Sequence, residues 1–270
     1  MRHDVFHVPI DDIPGHVLDA QLESWLQGTT SHFITTPNPE FILAARKDPA
    51  FLGLLKEANL SLPDGVGLCF AVTALTDQRI SYRHTGVSLV EQLVRISERM
   101  NKRVLLFGGD PGAAERTKTH FSKQYPGAHI EFLDPGMVTL PVSSELKEAL
   151  QMHAPDILLV ALGQKKQEAF IQELLPHLPS VRIAVGVGGA FEMFGGLKPR
   201  SPVWMQNMGL EWVWRALIEP TRIRRTVRAS IVFPIIVISA TLRQHRFLRA
   251  CRNVVPEIYR QLTGGKSKTL

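Results

Sequence analysis

Cysteine is scarce in this sequence: Cys69 and Cys251 are the two among 270 residues, and both stand in apolar or helical surroundings. This usage excludes a disulfide scaffold and a cysteine-based zinc site, and it is typical of proteins from a reducing compartment. Charges interrupt the first twelve residues, where a signal peptide needs a continuous apolar core. The sequence therefore predicts a cytoplasmic protein.

Several motifs of catalytic chemistry are also missing. There is no D-x-D, H-E-x-x-H or C-x-x-C, and the ten histidines lack a ligand spacing, so we expect no bound metal and no other cofactor. The G-x-S-x-G turn of serine hydrolases is absent as well. The uncharged run Ala229–Leu242 has 14 residues with a proline inside. A bilayer-spanning helix needs about 20, so this run is either an interfacial helix or an ordinary buried one.

Two glycine-rich turns fall short of the dinucleotide-binding fingerprint G-x-G-x-x-G. Gly108 and Gly109 lie between a predicted strand and a predicted helix, but the proline that follows removes one backbone donor. Gly186 and Gly188 are followed by Phe191 in place of the third glycine. These are either plain tight turns or turns that tolerate a phosphate at a helix N-terminus. A nucleotide-dependent oxidoreductase is therefore disfavoured.

What the sequence does contain is a regular alternation of short apolar runs with helical patterns. Strands are predicted at 32–35, 60–62, 103–107, 129–133, 157–162 and 181–187, and helices at 14–26, 39–47, 50–58, 66–75, 86–100, 113–124, 143–153 and 167–175. Such alternation implies right-handed crossovers and parallel strand pairing. We expect an α/β fold over residues 1–200, with a mainly parallel, Rossmann-like sheet covered by helices on both faces. A helical appendage should follow over residues 201–270.

The appendage is strongly basic. Residues 213–252 contain nine arginines and one acid, a net charge of +8, whereas the whole chain carries +6, so the remainder sums to −2. Arg215, Arg222 and Arg225 would share a face on a continuous helix, although Pro220 should kink it. Arginine suits bidentate phosphate contact, and the alternative is a solvated basic face. Nucleic acid is not the expected partner, because aliphatic runs rather than stacking aromatics separate the charges.

Two polar loops follow predicted strands in the first quarter of the chain. Thr36 and Asn38 lie in T-T-P-N-P after one strand, and Asp64 lies in P-D-G after the next. Open α/β sheets bind ligands at the carboxyl ends of their strands, so these side chains should face one crevice. The alternative is an asparagine or aspartate cap and a proline turn. Gln167, after a later strand, presents an amide that suits hydroxyls or a nucleobase edge, unless it simply belongs to a solvated helix start.

An ordered set of motifs resembles the bacterial WecG/TagA/CpsF glycosyltransferases. The matching stretches are T-P-N-P-E at 36–40, A-N-L-S-L-P-D-G-V-G at 58–67, L-L-F-G-G-D-P-G-A-A-E at 105–115, A-L-G-Q-K-K-Q-E at 161–168, G-V-G-G-A-F-E at 186–192 and R-S-P-V-W-M-Q-N-M-G-L-E-W-V-W-R at 200–215. Each stretch alone is a weak signal, but their order from about residue 30 to 225 is specific. The C-terminal segment from Ala229 to Arg252 looks longer than the family's usual ending.

The resemblance implies an inverting, metal-independent transfer of a sugar from a UDP-sugar donor to a polyprenyl-diphosphate-linked acceptor at the inner face of the cytoplasmic membrane. By resemblance, Asp64 is the general base, Thr36 and Asn38 lie near the reacting centre, and Gln167 contacts substrate.

The same resemblance assigns the grip on the lipid diphosphate to Arg215, Arg222 and Arg225. N-acetylmannosamine is the expected sugar, with glucose and mannosaminuronate donors as alternatives, and a homo-oligomer remains open. A non-catalytic membrane-peripheral module is the other rival, and it would leave Asp64, Thr36 and Gln167 without a task.

Overall fold

The computed structural model describes residues 1–202, 204–205, 211–219 and 223–262. The strands are β1 (Arg2–Val5), β2 (Val8–Asp11), β3 (His32–Thr35), β4 (Leu60–Ser61), β5 (Arg103–Gly108), β6 (His129–Leu133), β7 (Ile157–Ala161) and β8 (Ile183–Gly186). Strands β3 to β8 form one parallel sheet in the order β4-β3-β8-β7-β5-β6. Strands β1 and β2 form a separate antiparallel hairpin. The expected Rossmann-like α/β architecture is thereby confirmed.

Helices connect the strands and cover both faces of the sheet. They are α1 (Gly15–Gln27), α2 (Pro39–Ala45), α3 (Pro49–Glu57), α4 (Val66–Thr76), α5 (Gly86–Met100), α6 (Ala113–Gln124), α7 (Ser144–His153), α8 (Lys166–Leu174), α9 (Ala190–Phe194), α10 (Glu211–Ile218), α11 (Ile223–Val227), α12 (Phe233–Arg243) and α13 (Phe247–Leu262). A 3₁₀ turn at Leu175–His177 and a π-helical turn at Arg228–Val232 also occur. The predicted helices of the first 175 residues are confirmed to within one or two residues at their ends, as is usual for such boundaries.

Alternation along the strands divides the core between the two faces of the sheet. In β5, Val104 and Leu106 join one apolar cluster with helices α1, α5, α6 and α9. Leu105 and Phe107 join a second cluster on the opposite face, with α8. Successive side chains of a strand point to opposite faces, so a strand buried on both sides reads as a continuous apolar run. Such runs made these strands recognisable in the sequence.

A third apolar cluster holds the C-terminal helices against the body of the protein. Phe233 and Val237 of α12 and Ala250 of α13 are buried with residues of α2, α3, α4 and the β1–β2 hairpin. Burying a large apolar side chain contributes about 1.5–3 kcal/mol, so the packing of Phe233 alone is substantial. The uncharged run Ala229–Leu242 is thus partly a buried helix, although Ile235 and Leu242 on its other side remain exposed. The division of the chain near residue 200 stays a prediction.

None of the helices in the described part of the chain combines the length and the apolarity needed to cross a membrane. The proline inside α12, Pro234, directly follows the π-helical turn Arg228–Val232, and the helical backbone continues through it, so the missing N–H coincides with the change from π-helical to α-helical hydrogen bonding.

Polar contacts at the end of α4 fasten the last helix. Asp77 caps α4 in a left-handed conformation (φ 60°). Its carboxylate is bound by the Arg246 guanidinium, by Arg249 Nε at 3.1 Å and by Asn253 Nδ2 at 2.9 Å. Arg246 also donates to the Leu75 carbonyl at 2.8 Å. One carboxylate therefore joins α4 to the start of α13.

Replacing Asp77 should loosen the C-terminal helices. We expect Asp77→Ala to lower the free energy of unfolding by about 1–3 kcal/mol, because it removes charged hydrogen bonds and an acceptor for two arginines. The variant should also be cut faster by trypsin at Arg243 and Arg246. Asp77→Asn is the matched control, because asparagine tolerates the positive φ and keeps one acceptor, and it should lose less. Urea unfolding and timed proteolysis give both quantities, and unchanged cleavage of Asp77→Ala would contradict the anchoring role.

Candidate active site

A cavity of about 1090 Å³ opens at the carboxyl edge of the sheet. It lies over the neighbouring strands β3 and β8. From β3 the chain continues to β4, toward one edge of the sheet, and it reaches β8 from β7, which lies toward the other edge. Such a switch point is the usual ligand site of an open α/β sheet. Five strand ends contribute to its lining: Thr36 and Asn38, Asp64, Gly109 and Asp110, Gln164 and Gln167, and Gly188 and Gly189. The expectation of one shared crevice for Thr36, Asn38 and Asp64 is met.

Backbone hydrogen bonds hold the first two loops together. The Leu62 N–H donates to the Thr35 carbonyl at 2.8 Å, and the Asp64 N–H donates to the Pro37 carbonyl at 2.9 Å. The start of α4 packs so closely on Pro39 that a Cβ at Gly67 would lie 2.8 Å from the proline Cγ. A glycine is therefore required at that point, and the position of Asp64 follows from the position of the preceding loop.

Asn38 combines a structural task with exposure to the cavity. Its side-chain oxygen caps α2 by accepting from the Glu40 N–H at 2.9 Å and the Phe41 N–H at 3.1 Å. Such caps are worth about 1 kcal/mol. Because the oxygen is used in this way, the amide NH₂ is the group left to face a ligand. Thr36 is buried beside the start of α5, where a Cβ at Gly86 would lie 3.5 Å from its hydroxyl oxygen.

Gln167 is held at both ends of its amide. Its Oε1 accepts from the Gly188 N–H at 3.1 Å, and its Nε2 donates to Glu168 at 2.7 Å. The side chain lies across Gly186, where a Cβ would come within 2.4 Å of Nε2. The absence of a side chain at Gly186 therefore allows Gln167 to approach closely. The Gly188 N–H forms a hydrogen bond within the protein. Gln167 lines the cavity, but its hydrogen bonds make it a rigid wall of the site.

The glycine turn after β5 is likewise satisfied internally. The Gly109 N–H donates to the Ala161 carbonyl at 2.8 Å, and the Asp110 N–H donates to Glu192 Oε1 at 2.9 Å. Gly108 packs behind this turn, where a Cβ would lie 3.0 Å from the Leu162 side chain. Gly109 reaches the cavity, but its backbone N–H, like that of Asp110, points into the protein.

Three charged residues at the cavity were not singled out from the sequence. Glu192 is buried and lines the cavity, and its Oε2 has no hydrogen-bond partner among the described residues. Arg83 is also buried and lines the cavity, although its sequence context reads as a polar loop. Lys198 pairs with Asp110 at 3.1 Å. Two weak signals for Glu192 were present in the sequence: it closes the matching stretch G-V-G-G-A-F-E, and it lies in a first helical turn, where carboxylates are common in any case.

The C-terminal arginines are only partly described. Arg215 lies in α10 and Arg225 in α11, and their side chains fall outside the described part of the structure. Arg222 lies outside the described residues altogether. The grouping of these three arginines over the cavity stays a prediction. Among the residues that the structure describes, no three or more metal-ligating side chains cluster together.

The carboxyl group of Glu168, next to the cavity residue Gln167, has a raised pKa that makes the stability of the fold depend on pH. Burial raises the pKa of the Glu168 carboxyl to about 7, although hydrogen bonds from Gln167 and from the Lys165 N–H at 2.6 Å oppose the shift. Between pH 4.5 and 7 the folded protein keeps a proton that the unfolded chain has lost. This group therefore stabilises the fold most at low pH, and its contribution falls as pH rises to about 7.

Comparison of wild type with Glu168→Gln isolates this effect. We expect the free energy of unfolding of wild type, relative to that of the variant, to fall by about 3 kcal/mol between pH 4.5 and 8. Urea titrations at several pH values measure the difference, and the exposed Glu148→Gln is the control that should show no such trend. A pH-independent difference for Glu168→Gln would be inconsistent with a raised pKa.

The chain has relatives that match it over most of its length. A family model described as Glycosyl transferase WecG/TagA/CpsF family matches residues 3–247. A protein of Bacillus subtilis (strain 168), N-acetylglucosaminyldiphosphoundecaprenol N-acetyl-beta-D-mannosaminyltransferase, is 32% identical over 219 residues, which cover 80% of each chain. A protein of the same name from Staphylococcus aureus (strain MRSA252) is 31% identical and covers 74% of this chain and 77% of its own. The chain belongs to the WecG/TagA/CpsF family of glycosyltransferases.

Proposed function

We propose that this glycosyltransferase moves N-acetylmannosamine from a UDP-sugar to a saccharide linked to a polyprenyl diphosphate, in the synthesis of a cell-surface polysaccharide. The observation that carries the proposal is one cavity that collects Thr36, Asn38, Asp64 and Gln167 from three strand ends. The activity for which the relatives are named, transfer of N-acetylmannosamine to N-acetylglucosaminyl diphosphoundecaprenol, supports the donor sugar and the acceptor.

Asp64 is the proposed general base. A β-linked product from an α-linked nucleotide sugar requires inversion at the anomeric carbon, which a single displacement achieves. The acceptor oxygen bonds to the anomeric carbon while the bond from that carbon to the diphosphate oxygen breaks, and the hydroxyl proton passes to the Asp64 carboxylate. Asp64 suits this role because its backbone is fixed to Pro37 and its side chain borders the cavity. Thr36 and Asn38 then position the reacting sugars through a hydroxyl and an amide.

The departing nucleotide develops negative charge that the site must stabilise. Helices α2, α4, α5 and α9 all begin at the cavity wall, at Pro39, Val66, Gly86 and beside Gly189. The N-terminus of a helix favours anions, and Arg83 adds a full positive charge at the wall. In a desolvated site, such fixed dipoles and charges stabilise a developing anion more strongly than they would in water. The arginines of the appendage, Arg215, Arg222 and Arg225, are proposed to complete this environment.

Glu192 is the proposed anchor for the nucleoside. Its Oε2 is buried at the cavity without a hydrogen-bond partner among the described residues, and an unsatisfied buried acceptor is costly. A ligand that offers hydroxyl donors relieves that cost. In a UDP-sugar the ribose and the transferred sugar both supply adjacent hydroxyls, whereas the diphosphate supplies only acceptors. Glu192 therefore suits a hydroxyl-bearing part of the donor, which we assign to the ribose, and it would repel the diphosphate.

A UDP-release assay tests the proposal directly. Purified protein is given a synthetic prenyl-diphosphate acceptor and a panel of donors: UDP-N-acetylmannosamine, UDP-glucose and UDP-mannosaminuronate. We expect acceptor-dependent release that is fastest with the first donor. Asp64→Asn should lower kcat by roughly 10²–10⁴-fold with little change in folding, whereas Glu192→Gln should mainly raise the donor KM.

The outcomes separate the alternatives. Absence of acceptor-dependent release from every donor would overturn the transferase assignment for these substrates. Near-normal kcat in Asp64→Asn would remove Asp64 as the base without touching the rest of the proposal. An oxidoreductase would show neither acceptor-dependent UDP release nor its loss in Asp64→Asn, since its turnover would need a redox partner. A non-catalytic module would show no turnover at all.

The outer face of the C-terminal helices is proposed to dock on an anionic membrane, as an acceptor with a lipid anchor requires. Ile231, Ile235 and Leu242 are exposed there, flanked by exposed Arg228 and Arg243. Apolar side chains bordered by arginines are the pattern of interfacial helices.

Sedimentation with phosphatidylglycerol vesicles tests the membrane contact. The double variant Arg228→Glu/Arg243→Glu should bind at least about 30-fold more weakly, since each basic residue near the surface contributes about 1 kcal/mol. Lys56→Glu/Lys123→Glu, which reverses two exposed charges on α3 and α6, is the charge-matched control and should bind like wild type. Equal losses in both double variants would mean that net charge, rather than this face, governs binding.

A further inference from the structure

The cavity has a second, apolar end that the proposed chemistry does not use. Beyond the polar strand ends, its walls are formed by α4, α12 and α13. We call this end the apolar groove and define it by Ala71 and Ala74 of α4, Val237 and Ile238 of α12, and Cys251 and Val255 of α13. The α12 and α13 pairs each extend at helical spacing, to Thr241 and Val254, so each helix turns one continuous face to the groove.

The groove exposes apolar surface that the fold itself does not cover. Ala71 and Val237 form its floor and are buried, whereas Val255 is 63% exposed and Ile238 is 45% exposed. Adjacent apolar side chains left open along a concave surface are typical of a binding site for an apolar ligand. A cavity of about 1090 Å³ is slightly larger than the usual range for small-molecule sites, roughly 300–1,000 Å³. It has room for more than a nucleotide sugar at its polar end.

We propose that the apolar groove binds the prenyl chain of the acceptor, at the isoprene units next to the diphosphate. This inference rests on the proposed function for the existence of a prenyl-linked acceptor. Continuity is the argument for this occupant: a single cavity runs from Asp64 to Val255, so a ligand with a charged head and an apolar tail fits it end to end. A second copy of the chain or a bilayer surface would cover the rim of the groove, but neither carries a diphosphate at the required end.

The chemistry of the lining agrees with a hydrocarbon occupant. The six residues that define the groove carry no charge, and burial of each methylene group of a ligand strengthens binding by about four-fold. Helix α13 also carries Arg249 and Arg252 outside the groove, and both are exposed. A prenyl chain would therefore be bound along an uncharged channel with its free end leading toward the basic surface.

Cys251 provides a reporter in the groove itself. It is exposed, whereas Cys69 is fully buried and burial raises the pKa of its thiol to about 12. A maleimide should therefore label Cys251 in the folded protein and spare Cys69. We expect farnesyl diphosphate below its micelle concentration to slow labelling of the wild-type protein by at least about ten-fold, and inorganic diphosphate at the same concentration to leave the rate unchanged. Cys251→Ser, which should not be labelled, identifies the reacting thiol.

Protection by farnesyl diphosphate supports the proposal, and labelling that is equally fast with and without it overturns the proposal. Protection by inorganic diphosphate alone would also overturn it, since the head group rather than the chain would then be responsible. This readout needs no turnover, so it stands even if the transferase assay fails.

Turnover with acceptors of different chain length gives a second readout. Val255→Glu places a charge in the groove, and Leu248→Glu, at a residue that is 83% exposed on the same helix, is the matched control outside it. We expect Val255→Glu to raise the KM for a farnesyl-linked acceptor by at least about ten-fold and to leave the KM for a methyl-linked acceptor unchanged. Leu248→Glu should change neither. Equal effects of Val255→Glu on both acceptors would overturn the groove assignment. Absence of turnover by the wild-type protein with both acceptors would count against the proposed function, and the labelling result would then test the groove on its own.

Discussion

The candidate active site depends on the pairing of β3 with β4 and on its extension into the loops beyond them. β4 is a two-residue strand at the edge of the sheet, which on its own would be weakly held. The N-terminal hairpin supports it: the Asp11 carboxylate accepts from the Ser61 N–H at 2.8 Å and is itself bound by Arg2. Because β4 is fixed on both sides, the hydrogen bond from the Asp64 N–H to the Pro37 carbonyl fixes the loop of the proposed base in one place.

The parts of the fold that depend on local sequence pattern were predictable from the sequence. The parts that depend on contacts between distant residues were not. Apolar runs and capping residues located the strands and helices of the sheet, but periodicity cannot show that β8 pairs with β3, about 150 residues away in the chain. The β1–β2 hairpin was missed for a local reason. Its turn uses Phe6 and His7 at φ 53° and 70°, positions that asparagine and glycine normally signal.

The candidate site was likewise predictable where it depends on residues that directly follow strands. Thr36, Asn38 and Asp64 stand out because polar residues directly after strands must meet at one edge of a parallel sheet. The roles of the glycines were not visible, because whether a backbone N–H faces a ligand or the protein depends on distant partners. The Gly188 N–H donates to the Gln167 side chain, and the Gly109 N–H donates to the Ala161 carbonyl. Glu192 emerges only from tertiary structure, since its unsatisfied oxygen is a property of packing.

Helix α4 links the two ends of the cavity. Its first turn follows Asp64, and its last residue precedes Asp77, which binds Arg246 and Asn253 at the start of α13. At 1.5 Å per residue its 11 residues span about 16 Å. Because this rigid element carries both the floor of the apolar groove and the loop of the proposed base, a prenyl chain lying along it would bring the acceptor sugar to Asp64 at a fixed distance. Anchoring the C-terminal helices would then position the substrate as well as stabilise the fold, and positioning of this kind is a large part of what an enzyme contributes to a displacement between two bound sugars.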